Sequence, residues 1–359
     1  MSTGLATGLA SARVGRLEGL RHRPLAIGLV GFALLLAAIV AGVALGNVPV
    51  PLTDTLAILG HRLVGWPSAV TWSPASETIV TELRLPRVFA ALLVGTGLAI
   101  AGTTFQGLLR NPLADPYVLG TASGAALGAA IGVLIPVHIV LLGFGLVNVL
   151  AFVGALLAVA VVQRLSSGKG TGSSTSVLLT GYAVGSLLAS GLAMAMYLAG
   201  SNVRAIFFYL LGSFANASWP QVLMGTPIIL IASALIIARA RSLNALLLGD
   251  ESALHLGLDV RRERLILLGL ASLITAACVA IAGLIGFVGL VVPHVVRLIV
   301  GPNARLVLPL SAIFGAIFLI LADLVARIPG ELPVGVITAI VGAPVFLVLL
   351  RRFRGSYEL

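Results

Sequence analysis

Charge is what this sequence has least of. Of its 359 residues only 9% are Asp, Glu, Lys or Arg, while 59% are hydrophobic; a soluble domain carries about a quarter charged residues. With a mean hydropathy of +1.14, the chain has too little polar surface to stay in water. A soluble enzyme is excluded, and so is a disordered or fibrous protein. Cysteine is nearly missing as well. Cys278 stands alone in an apolar run, which rules out a disulfide framework and a thiolate metal site. His22, His61, His138, His255 and His294 show no metal-ligand spacing and no HExxH pattern. Gly168-Lys169-Gly170 shares little with a phosphate-binding loop, because Gln163 and Gly170 stand where such a loop needs Gly and Ser or Thr. The chain therefore does not hydrolyse ATP by itself.

Ionisable groups inside the apolar runs are also scarce, and in membrane proteins such groups point to function. Asp323 is the candidate, four residues before Arg327, the spacing of a helical ion pair. No series of Asp, Glu or His crosses a bilayer. That weighs against a proton- or sodium-coupled transporter and against a charged-ring channel. A membrane-embedded enzyme lacks its reactive constellation too. Both remain rival classes to transport energised by a separate protein.

What the sequence does have is apolar runs of about twenty residues, unbroken rather than alternating as in a β-barrel. The fold class is all-α and polytopic, with ten spans predicted at 25–48, 88–109, 117–136, 138–162, 177–200, 220–238, 265–282, 284–299, 306–325 and 333–350. The first is too long for a signal-peptide core and reads as retained. A cytoplasmic tail over 1–24, one transmembrane domain over 25–352 and a second cytoplasmic tail over 353–359 complete the division. With both termini inside, 17 of the 22 basic residues fall on the cytoplasmic side, leaving Arg62, Arg84, Arg87, Arg204 and Arg327 outside. The net charge of +10 thus reads as the positive-inside bias rather than as a nucleic-acid surface. Gly120, Gly124, Gly128 and Gly132 recur every fourth residue, which predicts one helix face for close packing; Gly95, Gly97 and Gly102 read similarly.

The longest internal polar segment runs from Arg239 to Arg264. Within it Asp250 reads as an N-cap, Glu251 as a first-turn residue and Gly257 as a C′ terminator. This predicts a cytoplasmic helix of two turns or fewer, suited to the groove of a soluble partner, or else an ordinary connecting loop.

Several motifs then come in order: Arg84-Leu-Pro-Arg87, Gln106-Gly-Leu-Leu-Arg-Asn-Pro-Leu-Ala-Asp-Pro116, Leu210-Leu-Gly-Ser213, Leu248-Gly-Asp-Glu251 with Leu256-Gly257, Ala282-Gly-Leu-Ile-Gly-Phe-Val-Gly-Leu-Val-Val-Pro-His294, Leu321-Ala-Asp-Leu-Val-Ala-Arg327, Glu331-Leu-Pro-Val-Gly335 and Gly342-Ala-Pro344. In this sequence they resemble, from about residue 30 to 352, the permease subunits of bacterial binding-protein-dependent ABC importers for iron–siderophore complexes, haem and vitamin B12. The resemblance implies a ten-helix permease like that of the vitamin B12 importer, in the inner membrane. It also implies a second permease subunit as homodimer or heterodimer, two cytoplasmic ATPases, and an external substrate-binding protein. No cofactor is implied on this chain; ATP and Mg belong to the partner ATPase.

By the same resemblance, Gly249, Asp250, Glu251, Leu254, Leu256 and Gly257 form a coupling helix, with His294 and Arg297 in a second segment near the ATPase. Arg84, Arg87 and Arg327 become outward-facing arginines that receive acidic residues of the binding protein. Ser174, Thr175 and Ser176, with Gln106, fall at the gate and pathway. His294, beside Pro293, reads as a structural residue at a helix end. Trp66 and Trp72, in the outer loop from Asn47 to Thr81, read as interfacial anchors or binding-protein contacts. The cargo expectation is an iron–siderophore complex, with haem and cobalamin as alternatives.

Overall fold

The computed structural model describes residues 23–137, 139–141, 143–166, 174–328 and 330–353. Most of the N-terminal tail, the C-terminal tail from Arg354, His138 and Gly168-Lys169-Gly170 lie outside the described residues. In an apolar medium each backbone N–H and C=O must find its partner within the chain, so long apolar segments become helices. Among the described residues they are α1 (Pro24–Ala44), α2 (Leu52–Val64), α3 (Pro74–Thr78), α4 (Leu85–Leu108), α5 (Thr121–Leu134), α6 (Leu146–Ser166), α7 (Ser174–Leu198), α8 (Val203–Leu211), α9 (Trp219–Ala238), α10 (Ala240–Leu247), α11 (Asp250–His255), α12 (Val260–Ala282), α13 (Val288–Val300), α14 (Ala304–Arg327) and α15 (Val334–Phe353). A two-residue-per-strand hairpin, Val140–Leu141 with Phe144–Gly145, precedes α6. Among the described residues eight helices are long and apolar enough to cross a membrane, and α5 and α13 are shorter apolar helices. Ten helices correspond to the ten expected spans.

The centre of the bundle is α4. A π-helical turn at Ile79–Arg84 joins it to α3, so that Pro74–Leu108 runs as one column. Pro86, which has no N–H to donate, sits in its first turn, and the Leu85 N–H reaches back five residues to Val80 O. The apolar window of this column is 83% buried, against 11% for α7. Three of its four glycines, Gly95, Gly97 and Gly102, do not share one partner. Gly95 packs on the backbone of Gly315 in α14, Gly97 on Cys278 and Ile274 in α12, and Gly102 on Gly289 in α13. Each admits a different helix to the column.

A second group is α5, α6 and α7. A methyl at Gly124 or Gly128 would overlap the carbonyl oxygens of Gly154 or Leu150 in α6, and one at Gly132 would crowd Val147. Gly120 departs from the expected face. It is the N-cap of α5 with φ of 75°, and it lies against Gly181 and Gly185 of α7. The reason is the segment from Asn111 to Gly120, which is turns rather than helix. Pro116 packs on Gly289 beside the Leu98 carbonyl. Leu98 is ten residues above the end of α4, about 15 Å at 1.5 Å per residue. The chain thus climbs back into the bundle without helical structure before α5 begins, and α5 completes the crossing. Tyr117 closes the arrangement, its hydroxyl donating to Ile285 O at 3.1 Å and accepting from Ile285 N at 3.2 Å. Irregular backbone at this depth is tolerated where protein surrounds it. Asp115 rides on this segment, its Oδ1 accepting from the Tyr117 N–H at 2.8 Å. Asp323 is therefore not the sole carboxylate within the bundle.

The loop before α4 is folded too. Trp72 is buried and its indole donates to Glu77, so it is a packing residue and not an interfacial anchor; Trp66 is exposed.

Candidate functional site

Two clusters of charge hold opposite ends of α4. At its C-terminal end the helix closes with Arg110 in the left-handed region, φ 48°. The Arg110 N–H bonds to Gly107 O and the Asn111 N–H to Gln106 O, the pair of bonds of a Schellman motif. Glycine usually holds that position, and a side chain there costs about 1 kcal/mol. The arginine uses the position: Nε donates to Leu246 O at 3.0 Å, and Nη2 pairs with the carboxylate of Asp250. Arg264, from the first turns of α12, reaches the same carboxylate at 3.0 Å.

Asp250 therefore opens α11 but does not cap it. The N-cap is Gly249, with φ of 113°, and the Asp250 side chain is drawn into two ion pairs instead. The other end of α11 follows expectation. Gly257 has φ of 78°, its N–H bonds to Leu254 O and that of Leu258 bonds to Ala253 O. This is the Schellman pair again. Asp259 then caps α12, accepting from the Arg262 N–H at 3.0 Å. In the two turns between, Ala253 alone is buried, while Leu254 is 59% and Leu256 67% exposed. Glu251 is exposed as well. A cleft of about 530 Å³ lies beside Leu248 and Leu256, with Arg241 and Arg305 among its lining residues.

His294 and Arg297 do not join this surface. Both lie within α13, and His294, 3% exposed, is in mid-helix rather than at a helix end. Arg297 Nη1 donates to Gln106 Oε1 at 3.0 Å, and Gln106 Nε2 donates to Leu290 O at 3.0 Å. Gln106 is buried, so it ties α4 to α13 rather than lining a pathway. Ser174 and Thr175 begin α7, and Ser176 is half-buried one residue further on.

At the N-terminal end of α4, Arg84, Arg87 and Arg327 meet. They are buried, not outward-facing. Arg84 Nη1 donates to Val43 O at 2.9 Å and Ala44 O at 2.7 Å, and its Nη2 donates to Val48 O. The last carbonyls of α1 have no helical acceptor role left to fill, and a cation at a helix C-terminus is favoured by the dipole. Asp323, 0% exposed, is shared. Arg87 approaches it through Nε at 3.1 Å and Nη2 at 3.0 Å, and Arg327 through Nε at 2.9 Å. Arg327 Nη1 also donates to Gly42 O at 2.8 Å, and Arg87 Nη1 to Glu331 Oε2 at 2.7 Å. Three guanidiniums face two carboxylates, a surplus of one positive charge. The i,i+4 pair of Asp323 and Arg327 was legible from spacing; Arg87 with Glu331, 244 residues apart, was not.

Comparison with known proteins places this architecture. Residues 34–352 match the FecCD transport family. The uncharacterised ABC transporter permease YvrB of Bacillus subtilis is 40% identical, covering 95% of this chain and 98% of its own. The cobalamin import system permease BtuC of Halobacterium salinarum is 43% identical over 77% of this chain and 74% of its own. Among solved structures, a metal-chelate type ABC transporter in an inward-facing conformation superposes with a TM-score of 0.78 at 28% identity, covering 90% of this chain and 98% of that one. The chain belongs to the FecCD transport family and is the multi-pass permease of an ABC importer, a transport subunit whose ATP is hydrolysed by a separate ATPase.

Proposed function

We propose that this permease takes iron–siderophore complexes from an extracytoplasmic binding protein and passes them to the cytoplasm, driven by a pair of ATPases docked on α11. On the positive-inside bias, the Asp250 end is cytoplasmic, as are both termini, and the Arg87 end faces outward. The observation that carries the reading is the link from α11 to α4. Asp250 joins the exposed helix to Arg110 and Arg264, and Arg110 is the residue at which α4 ends and the re-entrant segment begins. A push on Leu254 and Leu256 is thereby delivered to the two elements that set the shape of the bundle. Two permease subunits, with α7 and its first residues Ser174, Thr175 and Ser176 beside the pathway, would then alternate access between the two faces.

The cargo is read from relatives: one is named for cobalamin and the solved neighbour for metal chelates. Other relatives are named for Fe(3+)-citrate and hemin, and the iron–siderophore reading competes with cobalamin and haem. The test is uptake into proteoliposomes holding permease and ATPase, with the binding protein added outside and a labelled ferric siderophore, haem or cobalamin offered in turn. ATP-dependent uptake of the ferric siderophore above the other two supports the reading. Uptake of cobalamin or haem alone overturns the cargo and leaves the importer.

A further inference from the structure

The donors of Arg87 are divided between two carboxylates of different character. Nε and Nη2 go to Asp323, which is fully buried and also held by Arg327. Nη1 goes to Glu331 at 2.7 Å, and that side chain is 45% exposed. Glu331 is lightly held otherwise. Its second contact, from Asn47 Nδ2, is 3.4 Å long, and its own N–H reaches Arg327 O at 3.4 Å, both at the weak end of hydrogen-bond lengths. Its backbone has φ of 62°, a region that a residue with a side chain rarely occupies. Glu331 thus fills the route from solvent to Nη1, and little besides Nη1 keeps it there.

We propose that Glu331 is an exchangeable counter-ion. A carboxylate of the incoming partner displaces it from Arg87 Nη1, while Asp323 stays bound and keeps the buried charge compensated. The proposal rests on the reading of this end as the docking face for the binding protein. The partner must be acidic, because with Glu331 swung out three guanidiniums face one carboxylate, and a planar guanidinium favours a charge-assisted, oriented bond to a carboxylate. The exchange also explains how a buried arginine can serve in docking: its counter-ion marks an opening to the outside.

The test measures binding-protein affinity for the permease–ATPase complex in nanodiscs. Glu331→Gln removes the competitor and is expected to tighten docking by about three- to tenfold. Glu82→Gln, an exposed carboxylate two residues before Arg84, removes the same charge without touching Arg87. It is expected to change affinity by about twofold at most in physiological salt. Adding Arg87→Gln to Glu331→Gln is expected to erase the gain. Should the amide variant fail to assemble, Glu331→Asp keeps the charge, shortens the reach and is expected to tighten docking by a smaller factor. A Glu331 variant that binds no tighter than Glu82→Gln, or more weakly than the wild type, overturns the exchange while leaving docking intact. A wild-type complex that binds no binding protein overturns the docking reading itself, and the exchange with it.

Discussion

The guanidinium of Arg110 pairs with the carboxylate of Asp250 across 140 residues of sequence, fastening the exposed helix α11 to the end of the central column α4. The pair is half-exposed, 40% and 46% for the two side chains, so its contribution to stability is about 1 kcal/mol or less. In the proposed mechanism its role is mechanical: α11 would move with α4 and with the segment that re-enters the bundle after it.

Arg110→Gly separates that role from stability. Glycine relieves a left-handed backbone strain of about 1 kcal/mol, while the ion pair and the Nε bond to Leu246 O are lost, each about 1 kcal/mol or less, so the melting temperature in detergent falls only slightly. Cargo transported per ATP hydrolysed is expected to fall by up to about fivefold, the factor that corresponds to ~1 kcal/mol. Coupling at the wild-type ratio would show the pair to be decorative.

Gly257→Ala acts on backbone alone, because no atom lies within 4 Å of the methyl it would add. With φ of 78°, the expected cost is about 1 kcal/mol, and Gly257→Asn is expected to cost less because Asn tolerates this conformation. Thermal unfolding of both variants checks the order.

Gly128→Val drives a branched side chain into the Leu150 carbonyl where α5 meets α6. Overpacking of this kind costs about 1–3 kcal/mol, and the melting temperature is expected to drop well below that of Gly269→Val, a site with open space around it.

Asp323→Asn leaves Arg87 and Arg327 buried with half their compensation gone, a loss of about 3–5 kcal/mol. The double change Asp323→Asn with Arg327→Met removes one charge of each sign and is expected to recover part of it, Arg87 keeping Glu331. Expression level and detergent melting of the single and double variants decide this; equal loss in both would contradict the shared-carboxylate geometry.

The ten helices were legible in the sequence because each leaves a long apolar run, and a bilayer permits little else. Where the sequence misled, the cause was irregular backbone. The apolar run at 117–136 looks like a full span, yet its first residues form the climb around Pro116, and only Thr121–Leu134 is helical. Gly120 thereby became a cap that faces α7 instead of joining the face packed on α6. The short helix after Leu248 was readable from Glu251 and Gly257, since capping is local. The partners of Asp250, Arg87 and Gln106 were not, because Arg110, Glu331 and Arg297 meet them only through tertiary packing. The positive-inside count placed Arg84, Arg87 and Arg327 toward one face, but hydropathy says nothing about carbonyls or carboxylates waiting inside that face.

The most direct test is co-purification of the candidate ATPase with the permease in detergent, comparing the intact chain with Leu254→Asp/Leu256→Asp. Both leucines are exposed, so the double variant folds and inserts as the wild type does. Loss of the ATPase from this variant, with Leu230→Asn as a control on exposed apolar surface elsewhere, is the expected result. Retention of the ATPase at wild-type stoichiometry would contradict α11 as the element through which ATP drives this permease.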